Sequence, residues 1–140
     1  MPAIFELTST PIDPDALRRR IDQPGCGAVV IFEGRVRDTN RERPVDRIVY
    51  EAYEPVALAE GQAVAQETAA SHKLVEVLIV HRTGTVAIGE LAVWVGVCST
   101  HRDAAFAGCA AAIGAVKARV PIWKHEHYRD GGPEWLHPLP

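Results

Sequence analysis

The segment LVEVLIVHRTGTVAIGELAVWVGV, residues Leu74 to Val97, decides the fold. Leu74–Val80 is an apolar run of strand length that ends at His81-Arg82. Thr83-Gly84 reads as a turn, Thr85–Ile88 as a short extended piece and Gly89-Glu90 as a second turn. Leu91–Val97 is then a nearly unbroken apolar strand, which predicts burial on both faces. Strand follows strand here across short turns, with no helical crossover between them. That pattern predicts an α+β fold with a mainly antiparallel sheet.

Upstream, Ala3–Ser9 alternates as a short strand, and Asp13-Pro14 is an N-cap followed by proline at the first helical position, with the helix running to about Asp22. Gly27–Val36 is rich in β-branched residues and reads as a strand, and Arg37–Pro44 as a mobile loop. Val45–Tyr53 is a further strand, and Glu54-Pro55 opens an Ala-, Glu- and Gln-rich helix to about His72. Downstream, Ser99 or Thr100 is expected to cap a helix from Arg102 to Arg119, which Pro121 stops. The remainder, from Pro121 to Pro140, is expected to be irregular apart from one short strand around Ile122–His127.

The chain has 140 residues, the size of a single domain spanning 1–140 that can fold without a metal or disulfides. No apolar run reaches the length of a membrane span, and Met1–Glu6 lacks the pattern of a signal peptide. Three cysteines, an odd number, fit a reducing, cytoplasmic setting. The net charge is −3, which argues against broad nucleic-acid binding. Yet residues 101–140 carry five Lys/Arg against four Asp/Glu, together with four of the six histidines. That local excess suggests an anion site; a solvated mixed-charge tail is the plain alternative.

Several residues are candidates for chemistry. Lys117 lies at the edge of a helical stripe formed by Phe106, Cys109, Ala110, Ile113, Val116 and Val120. An edge lysine is partly desolvated, which favours its neutral form, unless it snorkels to water or merely offsets the helix dipole together with Arg119. Lys124 lies just past the helix and can fold back toward Lys117, or point to solvent. His101-Arg102 falls at a helix N-terminus, where free N–H groups attract anions, and His81-Arg82 follows a strand in a similar way. Arg35 and Arg37 flank Val36 and alternate onto one face, as a phosphate clamp or a charged edge. Cys98 and His101 could pair as nucleophile and base, whereas the cysteine spacing gives little support to a metal site.

The segments GAVVIFEGRVRDTN (27–40), YEAY (50–53), HRTG (81–84), HRDAAF (101–106) and VPIWKHE (120–126) occur in this order, with Lys117 seven residues before Lys124. In this the chain resembles the large, catalytic-subunit family of molybdopterin synthase, the MoaE family, over Gly27–Trp135. The resemblance implies an α/β-hammerhead type of α+β fold. It also implies a cytoplasmic homodimer, each half binding a small ubiquitin-like sulfur-carrier subunit with a C-terminal Gly-Gly thiocarboxylate, a heterotetramer in all. Sulfur would pass to cyclic pyranopterin monophosphate, two transfers building the dithiolene of molybdopterin, with no permanently bound cofactor and no metal. Position by position, it implies that Lys117 and Lys124 are catalytic. It places Arg35, Val36, Arg37, His101, Arg102, His125 and Glu126 with the two lysines at the substrate. Arg35 stands where the family often has lysine, and Asp38 where asparagine is common. Because the carrier supplies the sulfur, Cys26, Cys98 and Cys109 are then structural. Two further expectations remain to be weighed: a cysteine-dependent sulfurtransferase built on Cys98, and a non-catalytic module that binds a carrier-protein tail.

Overall fold

A computed structural model describes residues 3–131 and 134–136; the Gly132-Pro133 pair and residues 137–140, His137 included, lie outside the described residues. The apolar run at the centre of the sequence forms two long strands joined through a short one, namely β5 (Glu76–Arg82), β6 (Gly84–Ala87) and β7 (Leu91–Ser99). Before them come β1 (Ala3–Thr8), α1 (Pro14–Arg20), β2 (Ala28–Arg35), β3 (Thr39–Asn40), β4 (Arg43–Ala52) and α2 (Glu54–Ser71). After them come α3 (Arg102–Arg119), β8 (Ile122–Tyr128) and β9 (Glu134–Leu136).

Two sheets result. One has the order β1-β5-β7-β2 and is antiparallel except for the β1–β5 pair, where Phe5 aligns with Ile79 in parallel. The other runs β3-β4-β8-β9, with β6 added beside β4. The α+β reading therefore holds, with one parallel pair inside a mainly antiparallel design.

Alternation along β5 and β7 sorts the core. Val77, Ile79, Val95 and Val97 pack with Ala57, Val64, Ala65, Cys109, Ala112 and Val116 of α2 and α3. Leu78, Val80, Trp94 and Cys98 face the other way, against Leu17 and Ile21 of the α1 segment. Both faces of β7 are thus covered, which is why its sequence shows no polar alternation. On α2, Gly61 lets the helix approach β1: a Cβ there would come within 2.3 Å of the Phe5 ring.

Three local expectations are corrected. The N-cap of α3 is His101, not Ser99 or Thr100, and no side chain makes the capping bond. The buried stripe of α3 is Ala105, Gly108, Cys109, Ala112 and Val116; Phe106 is 62% exposed and Ala110 is exposed as well. The large apolar ring of Phe106 signals a core position, yet the small residues around it let the sheet approach on the neighbouring face. Within the expected loop, Thr39-Asn40 pairs with Arg43-Pro44 as a tight hairpin. Its two connecting residues, Arg41 (φ 52°) and Glu42 (φ 64°), take the left-handed conformation of a type I′ turn without the usual Asn-Gly signal. The strand expected around Ile122–His127 is found as β8, which pairs with β4 from Val45 to Ala52, and β9 beside it is the part that was not expected.

Candidate active site

The two sheets and the end of α3 line an open cavity of about 510 Å³. Its wall is formed by Phe32–Arg35 of β2, Arg37 just beyond it, Tyr50 of β4, His81 of β5, Ala92-Val93 of β7, Lys117 of α3 and Lys124 of β8. Each group is there for a local reason. Arg35 ends β2, where the register with β7 shifts, and its Nε donates to the Gly89 carbonyl at 3.1 Å. Lys117 sits in the last turn of α3, one residue beyond the buried Val116. Lys124 lies opposite Tyr50 in the β4–β8 ladder.

Lys124 is only 8% exposed, so the solvent-facing reading of this residue is overturned. Its Nζ lies 2.8 Å from Oε1 of Glu126, which is fully buried two residues along the same strand face. Glu126 also accepts two bonds from Asn40 Nδ2, at 3.0 and 2.9 Å, and one from the Tyr128 hydroxyl. Burial works to raise the Glu126 pKa, but the hydrogen bonds from Lys124, Tyr128 and Asn40 outweigh it and hold the carboxyl below its ordinary range. A pocket beneath the main cavity joins this cluster to Arg35 and Arg37, and Arg37 Nη2 donates to Asn40 Oδ1 at 3.4 Å.

Lys117 is half-buried. Burial lowers its pKa first, and the positive charges of Lys124 and Arg37 lower it further. The cavity therefore combines four cationic side chains, of which one amine is tuned toward its neutral form. Such a site binds an anion and handles a proton or an acyl group in one place.

The structure does not bring every expected residue to this cavity. Val36 is 3% exposed, and its backbone N–H and C=O are bonded to Glu90 and Gly89. His125 points to the other face of β8, where its ring lies 4.6 Å from that of His127. His101 and Arg102 are exposed at the far end of α3. Fifteen residues separate Arg102 from Lys117, roughly 22 Å along the helix axis. His81 and Arg82 are both buried, and only His81 faces the cavity.

Cys98 is wholly buried on the α1 side of β7, with its Sγ 2.7 Å from that of Cys26. Burial first, then the hydrogen bond with Cys26, pushes its thiol up to about 12, so a Cys98–His101 nucleophile is not formed. Among the described residues no group of three or more His, Cys, Asp or Glu side chains could hold a metal. No described helix is long and apolar enough to cross a membrane.

Asn40, Tyr50 and Tyr128 escaped the sequence reading. The signal for Tyr128 was period-two spacing with Lys124 and Glu126, and that strand was expected to end at His127. Asn40 closes the motif of residues 27–40, but it lay in a stretch read as a loop and was given no role.

Residues 7–119 match the family model described as MoaE protein. The chain belongs to the MoaE family. Among curated members, it is 38% identical over 129 residues to a molybdopterin synthase catalytic subunit of Aspergillus niger, covering 92% of this chain and 72% of that one. A protein of the same name from a Nostoc species is 36% identical over 133 residues, covering 94% and 81%. Among solved structures, molybdopterin synthase from Staphylococcus aureus superposes with a TM-score of 0.87 at 34% identity, covering 94% of this chain and 96% of that one. A complex of subunits 1 and 2 of molybdopterin-converting factor from Helicobacter pylori, at 19% identity and a TM-score of 0.75, shares the fold. The MoaE fold thus underlies the cavity described above, and this MoaE-family chain is an enzyme of molybdopterin synthesis.

Proposed function

We propose that this MoaE-family enzyme transfers sulfur from the thiocarboxylated C-terminus of a small ubiquitin-like carrier subunit to cyclic pyranopterin monophosphate, yielding the molybdopterin dithiolene after two rounds. The observation that carries this reading is the convergence of Arg35, Arg37, Lys117 and Lys124 on one cavity of about 510 Å³. Both reactants are anionic, one through its cyclic phosphate and the other through its thiocarboxylate. Arg35 and Arg37 suit the phosphate, since guanidinium forks match its oxygens.

In each round the thiocarboxylate sulfur attacks a substrate carbon and forms the new C–S bond. The displaced oxygen leaves with a proton that the Lys117 ammonium can give, as water where it is a hydroxyl and on phosphorus where it belongs to the cyclic phosphate, whose ring then opens. Water then cleaves the resulting thioester. The carrier keeps a carboxylate and the pterin keeps the sulfur. Lys124, fixed by Glu126, holds positive charge beside the reacting groups throughout. No thiol of this chain takes part.

His101 and Arg102 lie outside the cavity of their own chain, so on this reading they serve the substrate from a second copy. On this reading the enzyme is a homodimer carrying two carrier subunits, in the cytoplasm. The test is a single-turnover assay with the thiocarboxylated carrier and cyclic pyranopterin monophosphate, in which molybdopterin is read as its fluorescent oxidised derivative. Product is expected from the wild type. Tight carrier binding without product would replace the proposal with a non-catalytic tail-binding module.

A further inference from the structure

His81 is a fully buried imidazole in a wall that also holds four cations and the Glu33 carboxylate, and the transfer scheme above does not use it. It lies on the face of β5 shared with Val77 and Ile79, which points it at the α3 side and the cavity. Its Nδ1 is 2.8 Å from the Arg82 backbone carbonyl. A carbonyl can only accept, so Nδ1 carries the proton and Nε2 carries a lone pair. Nε2 is buried and has no hydrogen-bond partner. Buried polar atoms are satisfied in the great majority of cases and an orphan destabilises the fold, so one kept at a cavity calls for a reason.

The ring is also held still. Tyr50 meets it edge-on, with centroids 5.1 Å apart and planes at 73°. Burial, opposed by the Arg82 carbonyl and aided by the nearby Lys117 charge, brings the His81 pKa down to about 4, so the imidazole stays neutral at working pH. Arg35, Arg37 and Lys124 offer only donors, so the other side-chain acceptors of the wall are the Glu33 carboxylate and the Tyr50 hydroxyl. Glu126 is already committed to Lys124, Asn40 and Tyr128. Nε2 is thus a fixed acceptor held open beside a lysine.

We propose that His81 is a positioning residue for Lys117, its Nε2 receiving one N–H of the Lys117 amine when the cavity is occupied and so aiming the remaining face of that nitrogen at the reacting atoms. The inference rests on the reading of Lys117 as the proton donor of the transfer. A displaced nitrogen would still bind anions by charge, so losing His81 should slow the chemical step more than it weakens binding.

The experiment compares His81→Phe, which keeps a ring against Tyr50 but removes the acceptor, with His81→Gln, which restores an acceptor oxygen. Two readouts are taken. One is turnover, split into kcat and KM. The other is the rate at which an N-hydroxysuccinimide ester acylates Lys117, followed by peptide mass spectrometry, which needs neither substrate nor carrier. Thermal melting reports the fold. His81→Phe is expected to lower kcat by about 10- to 100-fold with KM within about threefold, and to change the Lys117 acylation rate, whereas His81→Gln recovers both. Wild-type values of both readouts in His81→Phe would overturn the proposal. Equal losses in the Phe and Gln variants, tracking a lowered melting temperature, would overturn it as well, by making His81 merely structural. Should His81→Phe not fold, His81→Leu removes the acceptor and answers the same question. If the wild type makes no molybdopterin, the proposed function fails, and Lys117 acylation decides the role of His81 by itself.

Discussion

The two ends of α3 carry similar residues and do different things. At the N-terminus His101 and Arg102 stand in solvent on a helix start that no side chain caps. At the C-terminus Lys117 and Arg119 are two residues apart and diverge. Arg119 turns outward to Glu60 at 3.3 Å and Glu67 at 2.9 Å, and so takes the surface role that the helix dipole and ion pairing predict. Lys117 turns into the cavity, where burial and neighbouring charges lower its pKa. The contrast teaches that a basic residue becomes a reactive one through what the rest of the fold places around it. The helix is packed along its length, Ala105 near its start being as buried as Val116 near its end, so the difference lies in where each side chain turns: Lys117 toward the cavity, His101 and Arg102 toward solvent.

The sharpest way to break this contrast is to remove each end in turn. Lys117→Ala should reduce turnover on the order of 10²- to 10⁴-fold while the melting temperature is kept. Arg102→Ala should also lose turnover, and mixed dimers of the two variants should regain it, because each copy then supplies what the other lacks. A mixture as inactive as its parts would remove the second-copy role of Arg102. Lys117→Arg sharpens the point, since arginine keeps the charge but gives up no proton at working pH; wild-type turnover in that variant would reduce Lys117 to an anchor.

Next in size is the ion pair that fixes Lys124. Glu126→Gln leaves a buried ammonium without its carboxylate and is expected to cost about 3–5 kcal/mol, measured by denaturant unfolding. The surface pair at the other side of the comparison, tested by Glu67→Gln, should barely register.

A smaller effect follows from His81 as a function of pH. Its folded pKa, about 4, lies below the unfolded value of 6.5, so the unfolded chain binds the extra proton first as the pH falls. Stability is therefore unaffected above pH 6.5 and is lost as the pH drops from 6.5 toward 4, with a limiting slope of about 1.4 kcal/mol per pH unit from this group. The groups facing it are Tyr50, the Arg82 carbonyl and Lys117. Glu126 adds its own loss only at lower pH, as its depressed carboxyl protonates. Urea unfolding at a series of pH values should show a shallower slope in His81→Gln; an unchanged slope would mean that His81 is not held neutral by the fold.

The smallest effect lies near the N-terminus of α3. Phe106→Ser should change monomer stability by no more than about 0.5 kcal/mol, despite the loss of a large apolar ring, because that ring lies in solvent. A loss of several kcal/mol would place the ring in a packed interface.

Much of this protein is legible in its residues. The Asp13-Pro14 start of α1 holds, with Asp13 Oδ1 accepting from the Asp15 and Ala16 amides at 3.1 and 3.2 Å. The apolar continuity of Leu91–Val97 announced a strand covered on both faces. Spacing placed Lys117 at the edge of a helix stripe, and the ordered motifs pointed to the MoaE family. Local rules failed where the partner decides the outcome. Phe106 is apolar, but the face of α3 that meets the sheet is the one whose small residues permit close approach. Arg41 and Glu42 take a turn conformation that their types disfavour, because strand pairing on either side imposes it.

The sequence alone determined the long strands, the helices and the presence of two lysines and two arginines in the right order, because period, capping and proline placement act over a few residues. Only the tertiary structure decided that Lys124 is buried on Glu126 and Asn40, that His81 presents an open acceptor beside Lys117, and that His125 faces away. Those facts depend on register between strands that are distant in the chain, and shifting a strand by one residue would turn each of these side chains to the opposite face.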